Sequence, residues 1–150
     1  MPILDIIKER ALDIHIPGRG HFTETYRSKD ESRLELLMQK GDFWPFHKTG
    51  SAERFVHLQG GELIIHVVTP EGVYQKHRLG SECDGAQSSI DIPAGTWFAE
   101  EVQDNYVLVE VIVTPAFDAT TVQHINQADL LALLPTKNKE ILDCVKRLTE

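Results

Sequence analysis

Apolar and polar residues follow a helical period at both ends of the chain and a period of two between them. Ile3, Ile7, Ala11 and Ile14 recur every three or four residues, which predicts a helix over 1–18 stopped by Pro17-Gly18. Alternation then predicts strands over 21–27, 34–39, 54–58, 63–69, 73–78, 89–92, 97–102 and 106–114. Turn chemistry bounds them at Lys40-Gly41-Asp42, Gln59-Gly60-Gly61, Pro70-Glu71-Gly72, Pro93-Ala94-Gly95 and Gln103-Asp104-Asn105. Pro70-Glu71-Gly72 lies between Val67-Val68 and Val73-Tyr74 and reads as a hairpin tip. After Val122 the helical period returns. Asn126 is the expected cap of a short helix ended by Pro135, and Thr136 the expected cap of a last one carrying Ile141, Leu142, Val145 and Leu148. Short strands at regular spacing predict an antiparallel sandwich or barrel flanked by helices. Neither repeat nor linker divides the chain, so residues 1–150 read as one domain: a helix over 1–18, a β-barrel over 19–124 and helices over 125–150.

Composition narrows the function classes. A length of 150 residues suffices for one buried core, and 41% apolar with 25% charged residues is ordinary for a globular chain. A net charge of -8 without a basic stripe excludes a surface built for nucleic acid. Glu110 interrupts the longest near-apolar stretch, over 106–113, which is too short to span a bilayer, so no membrane partner is expected. The charged start does not read as a signal peptide, and Cys83 and Cys144 have no metal or redox spacing. A reducing cytoplasm is the expected location.

Candidate chemistry concentrates in 41–60, where His47, Glu53 and His57 lie between Gly41 and Gly60. On a strand, Glu53, Phe55 and His57 share one face and Arg54, Val56 and Leu58 the other. Parity alone leaves open which face is core. A face with Glu, Phe and His reads as a pocket wall, although His57 lies about 13 Å from Glu53 by strand rise. Glu53 inside a barrel would be costly unless paired or protonated, which marks it as a functional candidate. Arg27 is a natural anchor for a carboxylate or phosphate, or else a structural ion pair. Glu110 interrupts an apolar strand and suggests the pocket side, and His66 is a similar case. His15, His21, His77 and His124 are assigned to surface or packing.

These residues resemble the cupin superfamily. Gly41, His47, Glu53 and Gly60 fall at the spacings of its first motif, with Thr49 in place of the second histidine. Pro93-Ala94-Gly95-Thr96-Trp97 is similar to the second motif, with Phe98 in place of its histidine. The stretch over 20–28, Leu79-Gly80, the stretch over 93–97 and Pro115-Ala116-Phe117-Asp118 resemble a small uncharacterised branch, cupin family five. The resemblance implies a double-stranded β-helix, or jelly roll, with a central small-molecule pocket, and a homodimer. The branch itself carries no assured reaction; by analogy of fold, some sugar-nucleotide epimerases share the jelly roll and pair a histidine base with a tyrosine acid. The favoured reading is therefore a metal-independent epimerase or isomerase of a sugar or sugar nucleotide. Its catalytic candidates are His47, Glu53, His57 and Tyr26, with Tyr106 as an alternative acid. Ligand-binding candidates are Arg27, Phe46, Phe55, His66, Trp97, Phe98 and Glu110. The alternative is a pocket, including the aromatic Trp44, that binds a carbohydrate or carboxylate without chemistry. A metal-dependent enzyme is the third reading. No cofactor is expected, and a divalent metal, if held at all, would use His47 and Glu53.

Overall fold

Each alternating segment buries one face, and the resulting strands stack into two layers with helices outside both. The computed structural model describes residues 3–149. Its elements are α1 (Ile3–Glu9), β1 (Ile14–Ile16), β2 (Gly20–Arg27), β3 (Ser32–Gln39), β4 (Phe43–Lys48), β5 (Ala52–Gly60), β6 (Leu63–Val68), β7 (Tyr74–Leu79), β8 (Ser89–Ile92), β9 (Trp97–Glu101), β10 (Tyr106–Thr114), β11 (Gln123–His124), α2 (Gln127–Ala132) and α3 (Lys139–Arg147). A six-stranded sheet runs β1-β2-β3-β10-β5-β8 and a five-stranded sheet runs β11-β4-β9-β6-β7. The strand pairs are antiparallel. This is the expected jelly roll, but its sheets remain two separate layers and do not close into a barrel.

Apolar residues fill three interfaces. Leu36, Met38, Phe55, Leu63, Ile65, Val67 and the odd positions 107–113 of β10 meet between the sheets. Leu37 and Leu108 point the other way and pack on Ile6 and Leu12 beneath α1. Val68 and Ala99, on the outer side of the five-stranded sheet, pack on Leu130, Ile141 and Val145 of α2 and α3. Strand β6 is buried along its whole length because both of its faces are covered.

The N-terminal helix expected to reach residue 18 ends at Glu9. Ala11 adopts a left-handed φ of 54°, and Ile14 enters the edge strand β1. Two of the four periodic residues thus lie beyond the helix. Strands β4 and β11 were not expected. Pro45 and the aromatics mask alternation in β4, and β11 is too short to show a period. Asn126 caps α2 as expected, but Asn138 rather than Thr136 caps α3, its side chain accepting from the Ile141 N–H. Gly41 and Gly60 both have left-handed φ values, and a Cβ at Gly60 would lie 2.6 Å from the Tyr106 carbonyl oxygen.

A buried polar network holds α3 to the sheet. His66 Nδ1 pairs with the Tyr74 hydroxyl at 2.7 Å, and Nε2 pairs with Glu101. Arg147 Nη2 donates to the same Glu101 oxygen at 2.7 Å. Burial pushes the Glu101 carboxyl up, but the hydrogen bonds from His66 and Arg147 outweigh it and hold the group below its usual range. A depressed folded value means stability that is present above the ordinary 4.5 and lost as pH falls through the folded value. Glu101→Leu should cost about 3 kcal/mol at neutral pH, read from urea unfolding, and should weaken the acid sensitivity.

Candidate functional site

A cavity of about 330 Å³ opens between the sheets, with walls formed by Phe22, Leu34, Leu36, Phe55, Val111 and Val113. Its polar side chains include Trp44, His47, Thr49, Glu53, Glu100 and His124, and Glu24, Pro45, Phe117 and Val122 complete the lining. Strand β4 brings its share through a bulge. Trp44 pairs with Glu100 and His47 with Phe98, so three steps on β4 match two on β9. The extra residue lets Trp44 and His47 both line the cavity. Phe46 between them turns to the helices and lies in their core, 1% exposed.

His47 Nδ1 donates to the Pro45 carbonyl at 2.7 Å, because a carbonyl can only accept. That fixes the neutral tautomer with an unprotonated Nε2. Burial holds the imidazole below its ordinary value of 6.5 against the Pro45 carbonyl, and His124 adds to the depression. The His47 ring rests on Phe98 with centroids 4.3 Å apart. Burial raises Glu53 to about 7, opposed only by the Thr49 hydroxyl at 3.4 Å. Glu100 is 5% exposed and is driven well above the ordinary carboxylate range by burial, then by the nearby Glu53. Its Oε2 and the indole Nε1 of Trp44 are buried without a hydrogen-bond partner among the described residues. The pocket therefore presents a neutral imidazole beside carboxyl groups that favour their protonated forms.

Of the expected site residues, His47, Glu53 and Phe55 line this cavity, and Phe98 backs His47. The others lie elsewhere. His57 keeps the parity of Glu53, opposite Val109, but lies farther along β5, where its Nε2 engages the Gly60 and Gly61 carbonyls at 3.2 and 3.0 Å. Tyr26 is 49% exposed beside Arg33, displaced by an irregularity between Glu24 and Tyr26. Tyr106 bonds to Gln59. Arg27 forms a bidentate pair with Glu24 at 2.7 and 2.9 Å and donates to the Phe117 carbonyl, so it braces the cavity's edge. His66 belongs to the network under α3, and Trp97 carries Lys48 over its ring on that same outer side. Glu110 pairs across from Glu35, opposite in parity to the core-facing odd positions of β10, and so faces out.

Glu100 was missed from the sequence, although alternation with Phe98 in β9 carried the signal. His124, assigned to surface or packing, lines the cavity because β11 pairs it with His47.

A cupin metal centre takes three histidines and a glutamate. Here Thr49 and Phe98 replace two of the histidines, and the Phe98 ring packs against His47. Among the described residues no group of three or more His, Cys, Asp or Glu side chains is arranged to hold a metal ion. The donor set does not fit the group.

Two antiparallel sheets around a cavity that carries the motif of residues 41–60 define a cupin-type domain. The chain belongs to the family described as Cupin superfamily (DUF985), whose model matches residues 5–125. A hypothetical protein from Leishmania major is similar at 22% identity, covering 99% of each chain with a TM-score of 0.84. A protein from Shewanella oneidensis is 26% identical over 100% of this chain and 98% of its own, with a TM-score of 0.83. The capsular polysaccharide assembling protein CapF from Staphylococcus aureus is 18% identical over 73% of this chain and 32% of its own, with a TM-score of 0.61. No curated protein matches. Among the described residues no helix is long and apolar enough to cross a membrane.

Glu53 sets a pH dependence of stability. Its folded value, about 7, lies above the ordinary 4.5. The folded state therefore holds a proton that the unfolded chain has released, and stability falls as pH rises between those values. Each pH unit in that window costs up to about 1.4 kcal/mol. Glu53→Gln should flatten the decline in thermal melts. Glu100→Leu removes a desolvated carboxyl and should stabilise the ligand-free protein at neutral pH by about 1–3 kcal/mol, read from the denaturant midpoint.

Proposed function

We propose that this protein is a small-molecule isomerase or epimerase that works by proton transfer in the inter-sheet cavity. His47 acts as base through Nε2, and Glu53 acts as acid. The observation that supports this reading is a neutral imidazole with a free nitrogen in one apolar cavity with a carboxyl raised to about 7. Acid and base groups work best with proton affinities near the operating pH, and environments that push two groups apart assign their roles. His47 takes a proton from a carbon beside a carbonyl group while Glu53 gives its proton to the carbonyl oxygen, which leaves an enediol. His47 then returns the carbon proton to the former carbonyl carbon, and Glu53 regains a proton from the neighbouring hydroxyl oxygen. Glu53 replaces the tyrosine acid expected from the resemblance, since neither Tyr26 nor Tyr106 lines the cavity. The screen sets the sugars and sugar nucleotides implied by the resemblance against less polar hydroxy and keto compounds. The likeness to CapF is one of fold alone and puts no carbohydrate in the pocket.

A binding module without chemistry is the second reading, favoured by the apolar aromatic walls. We read the protein as a cytoplasmic homodimer. The edge strand β1 exposes Ile14 and Ile16, a strand edge that a second copy would extend. A monomer in sedimentation at micromolar concentration would remove the dimer.

Thermal-shift screening followed by incubation in heavy water tests the main reading. A stabilising ligand should take up deuterium at carbon. His47→Ala should lower that rate at least about 100-fold with the melting temperature retained. The rate should fall as pH rises through about 7, because Glu53 must hold its proton. Undiminished exchange in the variant refutes the reading, and binding without exchange favours the binding module.

A further inference from the structure

The ligand's chemical class follows from which polar groups the cavity leaves unmatched. Trp44 and Glu100 are directly paired neighbours on β4 and β9, and both line the cavity. Each carries a buried polar atom with no partner, the indole Nε1–H and the carboxyl Oε2. Buried polar groups in folded proteins are nearly always hydrogen-bonded, so two orphans on directly paired residues that line a cavity mark where a guest completes the set. Several charged groups elsewhere in the protein are matched. Arg54 pairs with Asp91, Arg27 with Glu24, and Glu101 with both His66 and Arg147.

We propose that the cavity selects an uncharged organic ligand bearing a hydroxyl or carbonyl oxygen on an apolar body, with that oxygen seated between Trp44 Nε1–H and the Glu100 carboxyl. This rests on the cavity being the ligand site assigned above, and not on His47 performing chemistry there. Three features support it. The indole N–H can only donate, so the ligand must offer an acceptor, and a hydroxyl or carbonyl oxygen does. Among the described residues no lysine or arginine lines the cavity, whereas Glu53 and Glu100 do, so a carboxylate or phosphate ligand would be buried against acids without a counter-charge. An ammonium ligand would meet the acids but would leave the indole N–H unmatched. Phe22, Phe55, Val111 and Val113 offer no partners for a ring of hydroxyls, which disfavours a free sugar and, more strongly, a sugar nucleotide.

Calorimetric titration of the intact protein with four ring-matched probes tests this: cyclohexanol, cyclohexanone, cyclohexylammonium and cyclohexanecarboxylate. At least one uncharged probe should bind about tenfold or more tightly than both charged ones. Trp44→Phe and Glu100→Leu should each weaken that probe roughly threefold to tenfold, the effect of one hydrogen bond. Equal or tighter binding of either charged probe overturns the inference, as does binding by none of the four. Unchanged affinity in both variants, with native melts, overturns it too. The wild-type ranking stands without the variants should either fail to fold. Tight uncharged binding with no deuterium exchange leaves this inference in place and removes the catalytic reading alone.

Discussion

One extra residue in β4 decides what the cavity contains. In an unbroken strand Trp44 and Phe46 would share a face and His47 would point away from both. The bulge between Trp44 and His47 instead gives both to the cavity and sends Phe46 to the helices. It also sets Trp44 opposite Glu100 and His47 opposite Phe98, so one irregularity places the base, its apolar support and the orphaned donor. Bulges re-aim side chains at the cost of local pairing and are common beside functional sites. The Pro45 carbonyl at this bulge accepts from His47 Nδ1, so the same distortion also selects the tautomer.

The legibility of the sequence follows from this geometry. Regular alternation revealed the strands of the six-stranded sheet from β2 onward, and Glu53 and Phe55 face inward because Arg54, between them, finds Asp91 outside on β8. Motif spacing then marked His47 and Glu53. Alternation fails where the register breaks, at Phe46 beside the β4 bulge and at Tyr26 beyond the β2 irregularity, whereas His57 keeps its parity opposite Val109 and lies too far along β5. Glu110 and His66 show another limit. Both sit in strands covered on two sides, where a polar residue among apolar ones says nothing of which side it faces. Leu63, Ile65 and Val67 take the inner face, which leaves His66 to the helices.

Among the described residues, two buried acidic sites have opposite character. Under α3, Glu101 has His66 and Arg147 as partners and stays ionised. In the cavity, Glu100 has no partner for Oε2 and Glu53 has only the Thr49 hydroxyl, so burial raises both. Both glutamates at 100 and 101 lie on β9, one on each side of the same sheet. The paired acid fastens a helix. The unpaired ones destabilise the ligand-free fold, and such a cost persists only where something other than stability requires it.

The substitutions at the two motif positions fit that contrast. A histidine at either place would have set a polar, protonatable group beside Glu53. Thr49 instead spends its hydroxyl on the Ser51 carbonyl at 3.1 Å and reaches Glu53 only weakly, while Phe98 adds a ring against His47. Both changes dry the surroundings of Glu53 and remove groups that would have stabilised its charge, which raises its proton affinity toward neutrality. The same pair of changes that takes away donors for an ion thus builds a carboxyl able to give and regain a proton at neutral pH. Reintroducing a histidine at position 98 should therefore lower the Glu53 proton affinity and shift the pH at which the carboxyl titrates downward.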